Sequence, residues 1–265
     1  LRINSDKGEE FIITTQITSY FGAADGYHLP VSGYAVKDLD LPFWVSLEDS
    51  LSELLEGLNP DLIMEGRASS MDMAWAVLRL EPRDRVSRIC ILVWKLETDG
   101  CQLIMSRGLL NEAGEQDYRF SEAGQTVSPG VELEASFCRM AGAEGIQTAF
   151  FDHISSGGYA VGAADTLNGR EFFEAGAERE QKSGKGAAER PQLLWKTEVS
   201  VISGDAQYIV NAGPYCFCRE PGLEGAEKSY GFFFTIWNKD ADGRYRFLID
   251  AGNSSGEICT SVFNF

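Results

Sequence analysis

The sequence predicts an α+β fold made of two cone-shaped modules in tandem, each a curved antiparallel sheet wrapped on helices. Three observations lead there. Between Val131 and Gln181 apolar residues recur at helical spacing, whereas from Leu193 onward they alternate as strands do. The alternating part is cut by tight-turn signals at Ser203-Gly204-Asp205 and at Asp242-Gly243. The front of the chain echoes the same signals in the same order.

The rear half is the clearer one. Val131–Ala143 and Gly145–Ile154 read as two helices, and Ser155-Ser156-Gly157-Gly158 ends the second. Tyr159–Val161 is a short extended piece, and a third helix covers about Arg170–Gln181. Leu193–Ser203 then reads as one long strand, with Gln207–Cys218, Tyr230–Trp237 and Tyr245–Ala251 as its antiparallel successors. In the third of these, Phe232, Phe234 and Ile236 alternate with Phe233, Thr235 and Trp237. Both sets are largely apolar, so the strand should be covered on both faces, the second set turned to the cone interior.

In the front half, Ser70-Met71-Asp72 matches Ser203-Gly204-Asp205. Trp94, followed by Asp99-Gly100, matches Trp237 followed by Asp242-Gly243. The Asp-to-Trp separation is 22 residues in front and 32 behind, the difference falling in the loop around Pro221–Lys228. Two matches in one order argue for duplication. The expected modules are 1–115 and 131–265, joined by a linker over 116–130, and they would pair within the chain as a pseudo-dimer. The front module is divergent: a strand over Leu62–Ser69 follows one convincing helix, Leu47–Leu58, while Phe11–Phe21 fits helix or strand.

A formal net charge of -17 repels a phosphate backbone, so nucleic acid is a poor partner. No apolar run reaches the roughly 20 residues of a membrane span. The first residue is Leu1, and export after loss of a signal peptide is an expectation. Cys90, Cys101, Cys138, Cys216, Cys218 and Cys259 are too sparse for a disulfide framework and read as free thiols. With His28 and His153 the only histidines, no metal site and no cofactor is expected.

The run Leu194-Trp195, Ser203-Gly204-Asp205, Tyr208, Ala212-Gly213-Pro214-Tyr215, Tyr230-Gly231, Trp237-Asn238-Lys239, Asp242-Gly243 and Ile249-Asp250-Ala251-Gly252 resembles the nuclear transport factor 2-like superfamily. It is closest to the bacterial SnoaL-like and ketosteroid-isomerase-like branch of unassigned activity. The resemblance implies a cone with a hollow interior and is unspecific about chemistry, since such folds host isomerases, cyclases, dehydratases and plain binding modules. It also implies a chain that is either a pseudo-dimeric monomer or a homodimer. Ketosteroid isomerases place an Asp base on the short strand after the second helix, where this chain has Gly158-Tyr159-Ala160-Val161-Gly162. Their first-helix tyrosine has no match in Val131–Ala143. SnoaL-like cyclases use an acid on the last long strands, a place matched here by Asp250.

Two residues are therefore candidate acid/base groups. His153, beside Asp152, could serve as a general base or simply complement a helix C-terminus. Asp250 could titrate in the pocket or cap the turn after it. Phe150, Trp195, Tyr208, Tyr230 and Trp237 are candidates for an aromatic ligand wall, with ordinary sheet packing as the alternative. Asp72, Asp205, Asp99 and Asp242 read as turn residues. The expected function is binding of a small apolar or amphipathic molecule in the rear cone, or service as a binding scaffold. The alternative is a cofactor-free lyase, isomerase or cyclase.

Overall fold

The computed structural model describes residues 12–16, 32–35, 46–47, 58–70, 72–82, 88–97, 100–107, 128–162, 166–223 and 225–255. The chain divides into two compact units whose main boundary falls between Phe120 and Ser121.

The front unit holds a seven-stranded sheet in the order β3-β1-β2-β7-β6-β5-β4. Its strands are β1 (Ile12–Gln16), β2 (Ser32–Ala35), β3 (Ser46–Leu47), β4 (Leu58–Arg67), β5 (Met73–Pro82), β6 (Arg88–Glu97) and β7 (Gly100–Arg107). From β4 to β7 the strands form an antiparallel meander. Met73 to Leu78 and Ile89 to Val93 are buried without a break, so β5 and β6 are covered on both faces. Of the helix expected over 47–58, Leu47 and Leu58 lie in strands and the residues between lie outside the described set. The segment open to either reading contains a strand, β1.

The rear unit begins with α1 (Pro129–Glu144), α2 (Ile146–His153) and β8 (Ile154–Val161). It continues through β9 (Leu167–Gly169), α3 (Arg170–Lys182), β10 (Gln192–Trp195), β11 (Val199–Ile202), β12 (Tyr208–Cys218), β13 (Lys228–Lys239) and β14 (Tyr245–Ser255). The order helix, helix, short strand, helix and then long antiparallel strands is the one expected. Ser128 caps α1, its hydroxyl accepting from Gly130 N at 3.2 Å, with Pro129 in the first turn. The α2 N-terminus has no side-chain cap of its own, because Gly145 precedes it at φ 115°. Glu180 of α3 supplies one instead, accepting from Gln147 N at 3.1 Å and from Thr148 N at 2.9 Å. That contact ties the end of α3 to the start of α2.

Three details depart from the sequence reading. The strand expected over Leu193–Ser203 is two strands, β10 and β11, both paired with β12. Trp195 faces Tyr215 and Val199 faces Ala212, so four steps along one strand oppose three along the other: a β-bulge at Lys196–Glu198. The Ser155–Gly158 run does not end a helix before a short strand. It belongs to β8, where Ile154 pairs with Phe247 and Tyr159 with Ile249, so the extra residues bulge out. And β8 runs parallel to β14, whereas β2 runs antiparallel to β7. The meander thus occurs in both units, but the strands beyond it join differently.

Parity along the strands decides what faces the helices. On β13 the odd positions Phe233, Thr235 and Trp237 point inward, and the even positions Phe234 and Ile236 are buried on the other face. The inner core joins Phe137, Phe150, Phe173, Trp195, Ile209, Phe233, Trp237 and Phe247. Cys90, Cys138, Cys216 and Cys218 are free thiols. No helix among the described residues is long and apolar enough to cross a membrane.

Gly213 sits at the bulge, between the bonds Lys196 N to Pro214 O (3.1 Å) and Glu198 N to Ala212 O (3.0 Å). A Cβ there would collide with the Lys196 carbonyl. Gly213→Ala should therefore cost about 2–3 kcal/mol, read as a lowered urea midpoint. An unchanged midpoint would show that the bulge relaxes freely.

Candidate functional site

The site is built around an acid on the buried face of α1. Gly130, Glu134, Phe137 and Ala141 are the buried residues of that helix, a stripe at helical spacing with a carboxylate in it. Glu134 is 1% exposed. Its Oε2 accepts from Trp195 Nε1 at 2.8 Å. Its Oε1 accepts from Trp237 Nε1 at 2.7 Å, from Asn211 Nδ2 at 3.2 Å and from the Thr235 hydroxyl. The donors come from β10, β12 and β13, so one side chain fastens α1 to three strands. An indole N–H can only donate, which makes the two tryptophans suited to an acceptor-only group. Burial still raises the Glu134 carboxyl above its ordinary range, against the downward pull of the hydrogen bonds.

Beside this network lies a cavity of about 250 Å³, lined by Phe150, Leu193, Trp195, Tyr215, Phe217, Ser229, Phe233 and Asp250–Gly252 of β14. Strand register explains the hollow. Phe217 faces Ser229, Tyr215 faces Gly231 and Phe233 faces Gly252, so each large inward ring is matched across the ladder by a small residue. Nearer the Glu134 network the pairs are Ile209 with Trp237 and Asn211 with Thr235, and there the interior is filled.

Asp250 pairs with Thr235 across β13 and β14 and therefore shares its inward face. It lines the cavity and is half-buried. Among the described residues no hydrogen bond or ion pair holds its carboxyl. Burial, and then the negative charge of Glu134, push that carboxyl well above the usual carboxylate range. The turn it was to cap is absent: Asn253, Ser254 and Ser255 continue β14 opposite Phe232, Gly231 and Tyr230.

The other candidates fall elsewhere. Phe150 and Trp195 line the cavity. Trp237 is fully buried and spent on Glu134. Tyr208 and Tyr230 have the opposite strand parity from Ile209, Asn211 and Phe233, so they stand on the other face of the sheet. Tyr230 faces Cys216 there. His153 stacks on Phe137 with ring centroids 4.6 Å apart, and its Nδ1–H donates to Ala149 O at 2.8 Å. Burial holds its imidazole below the ordinary histidine range. It does not line the cavity, and the structural role weighed for it is the one its contacts describe. Glu134 escaped the sequence reading, although an acid at i with Phe137 at i+3 and Ala141 at i+7 is a legible anomaly on an apolar stripe. Among the described residues no group of three His, Cys, Asp or Glu side chains is placed to hold a metal ion.

The network makes two predictions. Glu134→Gln keeps the volume but turns an amide N–H₂ toward donors, leaving at least one buried donor unpaired, at about 1–3 kcal/mol. A melting temperature lowered by several degrees, with altered tryptophan fluorescence, is the expected result. No change would mean that Glu134 already carries a proton. Asp250→Asn should act oppositely. The folded-state value of Asp250 is raised, so the unfolded chain gives up its proton first and stability falls as pH rises above about 4. The asparagine variant escapes this loss. It should melt above the wild type at pH 7–8, by a margin that closes as pH falls toward 4. A margin independent of pH would contradict the assignment.

No family model matches the chain, and no curated protein does. Solved structures do. One is a Xanthomonas campestris protein assigned to the calcium/calmodulin dependent protein kinase II association domain, at 16% identity and a TM-score of 0.40, over 54% of this chain and 97% of that one. Another is a ketosteroid isomerase-like protein from Erwinia carotovora, at 10% identity and a TM-score of 0.36, over 48% of this chain and 95% of that one. A third is an NTF2-like protein from Rhodospirillum rubrum, at 10% identity and a TM-score of 0.34, over 47% of this chain and 97% of that one. At these identities the likeness is one of fold alone: this chain is similar, over about half its length, to NTF2-like, ketosteroid isomerase-like and cystatin-like proteins.

Proposed function

We propose that the rear unit binds a small, largely apolar molecule in the 250 Å³ cavity, with Asp250 as the group that recognises its polar end. The observation that carries this is a carboxyl without a hydrogen-bond partner among the described residues, set in a cavity walled by rings. Ligand pockets span roughly 300–1,000 Å³, so this one sits just below the small end and suits a single-ring molecule, not a fused polycycle. Polar groups are few, as specificity in such pockets requires: Asp250, the Ser229 hydroxyl and the Tyr215 hydroxyl.

A second reading, proton transfer by Asp250, has its own support in the raised carboxyl, since an acid displaced toward neutral pH can both give and take a proton there. His153 is not part of this reading, because its ring faces Phe137 and its Nδ1 proton is engaged.

Ser229 is exposed at the cavity, so Ser229→Phe should fill the hollow without unfolding the chain. In a thermal-shift screen of single-ring compounds, a binder at about 100 times its dissociation constant should add roughly 2.7 kcal/mol of stability. Ser229→Phe should abolish that gain. If the screen finds no binder, or if Ser229→Phe responds like the wild type, the cavity is not the site. Catalysis is separable: solvent deuterium entering a bound carbon acid, and lost in Asp250→Asn, marks turnover, while binding without exchange marks a binding module.

A further inference from the structure

We propose that the ligand of this cavity is a small organic cation, an amine or quaternary ammonium carrying a single ring or a group of like size. This rests on the reading of the cavity as a ligand site and adds the charge of what enters it.

Three observations converge. First, five of the lining side chains are aromatic: Phe150, Trp195, Tyr215, Phe217 and Phe233. Ring faces carry negative electrostatic potential and attract a cation when water is excluded, which is how aromatic cages take quaternary ammonium groups. Second, Asp250 opens onto the same space, and among the described residues no cation stands beside it and no Lys, Arg or His lines the cavity. Buried charges are ordinarily paired. Third, the charge that acts on Asp250 is of the same sign. Glu134 lies behind Thr235, the strand partner of Asp250, and its donors are already engaged. One acid and five rings therefore line the hollow, with a second acid behind them and nothing positive among the described lining residues.

The competing ligand chemistries use less of this. An anion would meet Asp250, the field of Glu134 behind it and the negative ring faces. A neutral carbonyl compound could accept one hydrogen bond from protonated Asp250, but the rings would serve it only as apolar surface. A cation satisfies the carboxylate and the rings together. The net charge of -17 also draws cations toward the protein from a distance.

Isothermal titration of the full chain at about 0.15 M salt, where surface attraction is screened, tests this with three probes of one size: benzyltrimethylammonium, acetophenone and benzoate. The expected result is that the ammonium binds about tenfold or more tighter than either of the others. Asp250→Asn should remove that preference by weakening the ammonium. Phe217→Leu, which keeps the volume apolar but removes a ring, should weaken the ammonium alone, by about threefold or more. Acetophenone or benzoate binding as tightly as the ammonium would overturn the inference and leave the cavity a ligand site. An ammonium affinity unchanged in Asp250→Asn would reassign the binding to the acidic surface and overturn it too. No binding by any of the three, with no response in the wider single-ring screen, would remove the ligand site itself.

Discussion

The rear unit depends on one buried carboxylate. Taking Glu134 out of water costs several kcal/mol unless its oxygens are satisfied, and they are satisfied only when two indoles, a threonine and an asparagine from three strands converge on one helix. Apolar packing alone would let α1 slide along its stripe with small losses. A carboxylate with four directed donors does not allow that, so the helix has one register against the sheet. The consequence reaches the cavity at once, because Trp195 is both a donor to Glu134 and a wall of the hollow. The ring is fixed from behind, and the wall cannot fold into the space in front of it.

The hollow itself comes from covalent pattern more than from cohesion. A sheet closes over helices only if it bends, and the bends here are the bulge at Lys196–Glu198, the looped-out residues of β8 and the register shift between Ile236 and Trp237. At each the ladder loses regular pairing and gains twist. The space enclosed stays open because inward positions opposite the rings hold Ser229, Gly231 and Gly252. The same strands a few residues on carry Ile209, Trp237 and Phe247, and there the interior is filled.

Much of this was legible in the sequence, for physical reasons that also explain what was not. The change from helical to alternating period located the helices and long strands of the rear half. The Gly-Asp and Asp-Gly turns fixed where strands reverse, and Asp250 stood out near the end of the strand expected over Tyr245–Ala251, although β14 runs on to Ser255 and puts it mid-strand. Tyr208 and Tyr230 went astray because placing a residue on a strand does not place it on a face. Ile209 faces Trp237 across the ladder, while Tyr208 faces Asn238, and a shift of one residue exchanges the two sides. The bulge was hidden because Lys196-Thr197-Glu198 continues an alternating pattern, and only the partner strand, through Gly213, demands the extra residue. Glu134 was hidden in plain view, since its partners lie 61 to 103 positions away in sequence.

The two acids of the interior differ in a way that separates architecture from function. Glu134 takes up the side-chain donors its surroundings offer: both indoles, the Thr235 hydroxyl and the Asn211 amide. Asp250, one strand over, is left with none among the described residues and with the field of Glu134 against it. Stability accounts for the first acid, because deleting it strands four donors. Stability argues against the second, whose ionised form is opposed by burial and by a like charge, and which an amide of the same shape would replace at a gain. A residue that breaks the local rule at the wall of a cavity is where sequence and fold part company over something other than folding. Among the described residues nothing offsets that penalty, so Asp250 is the side chain of this wall that packing does not account for.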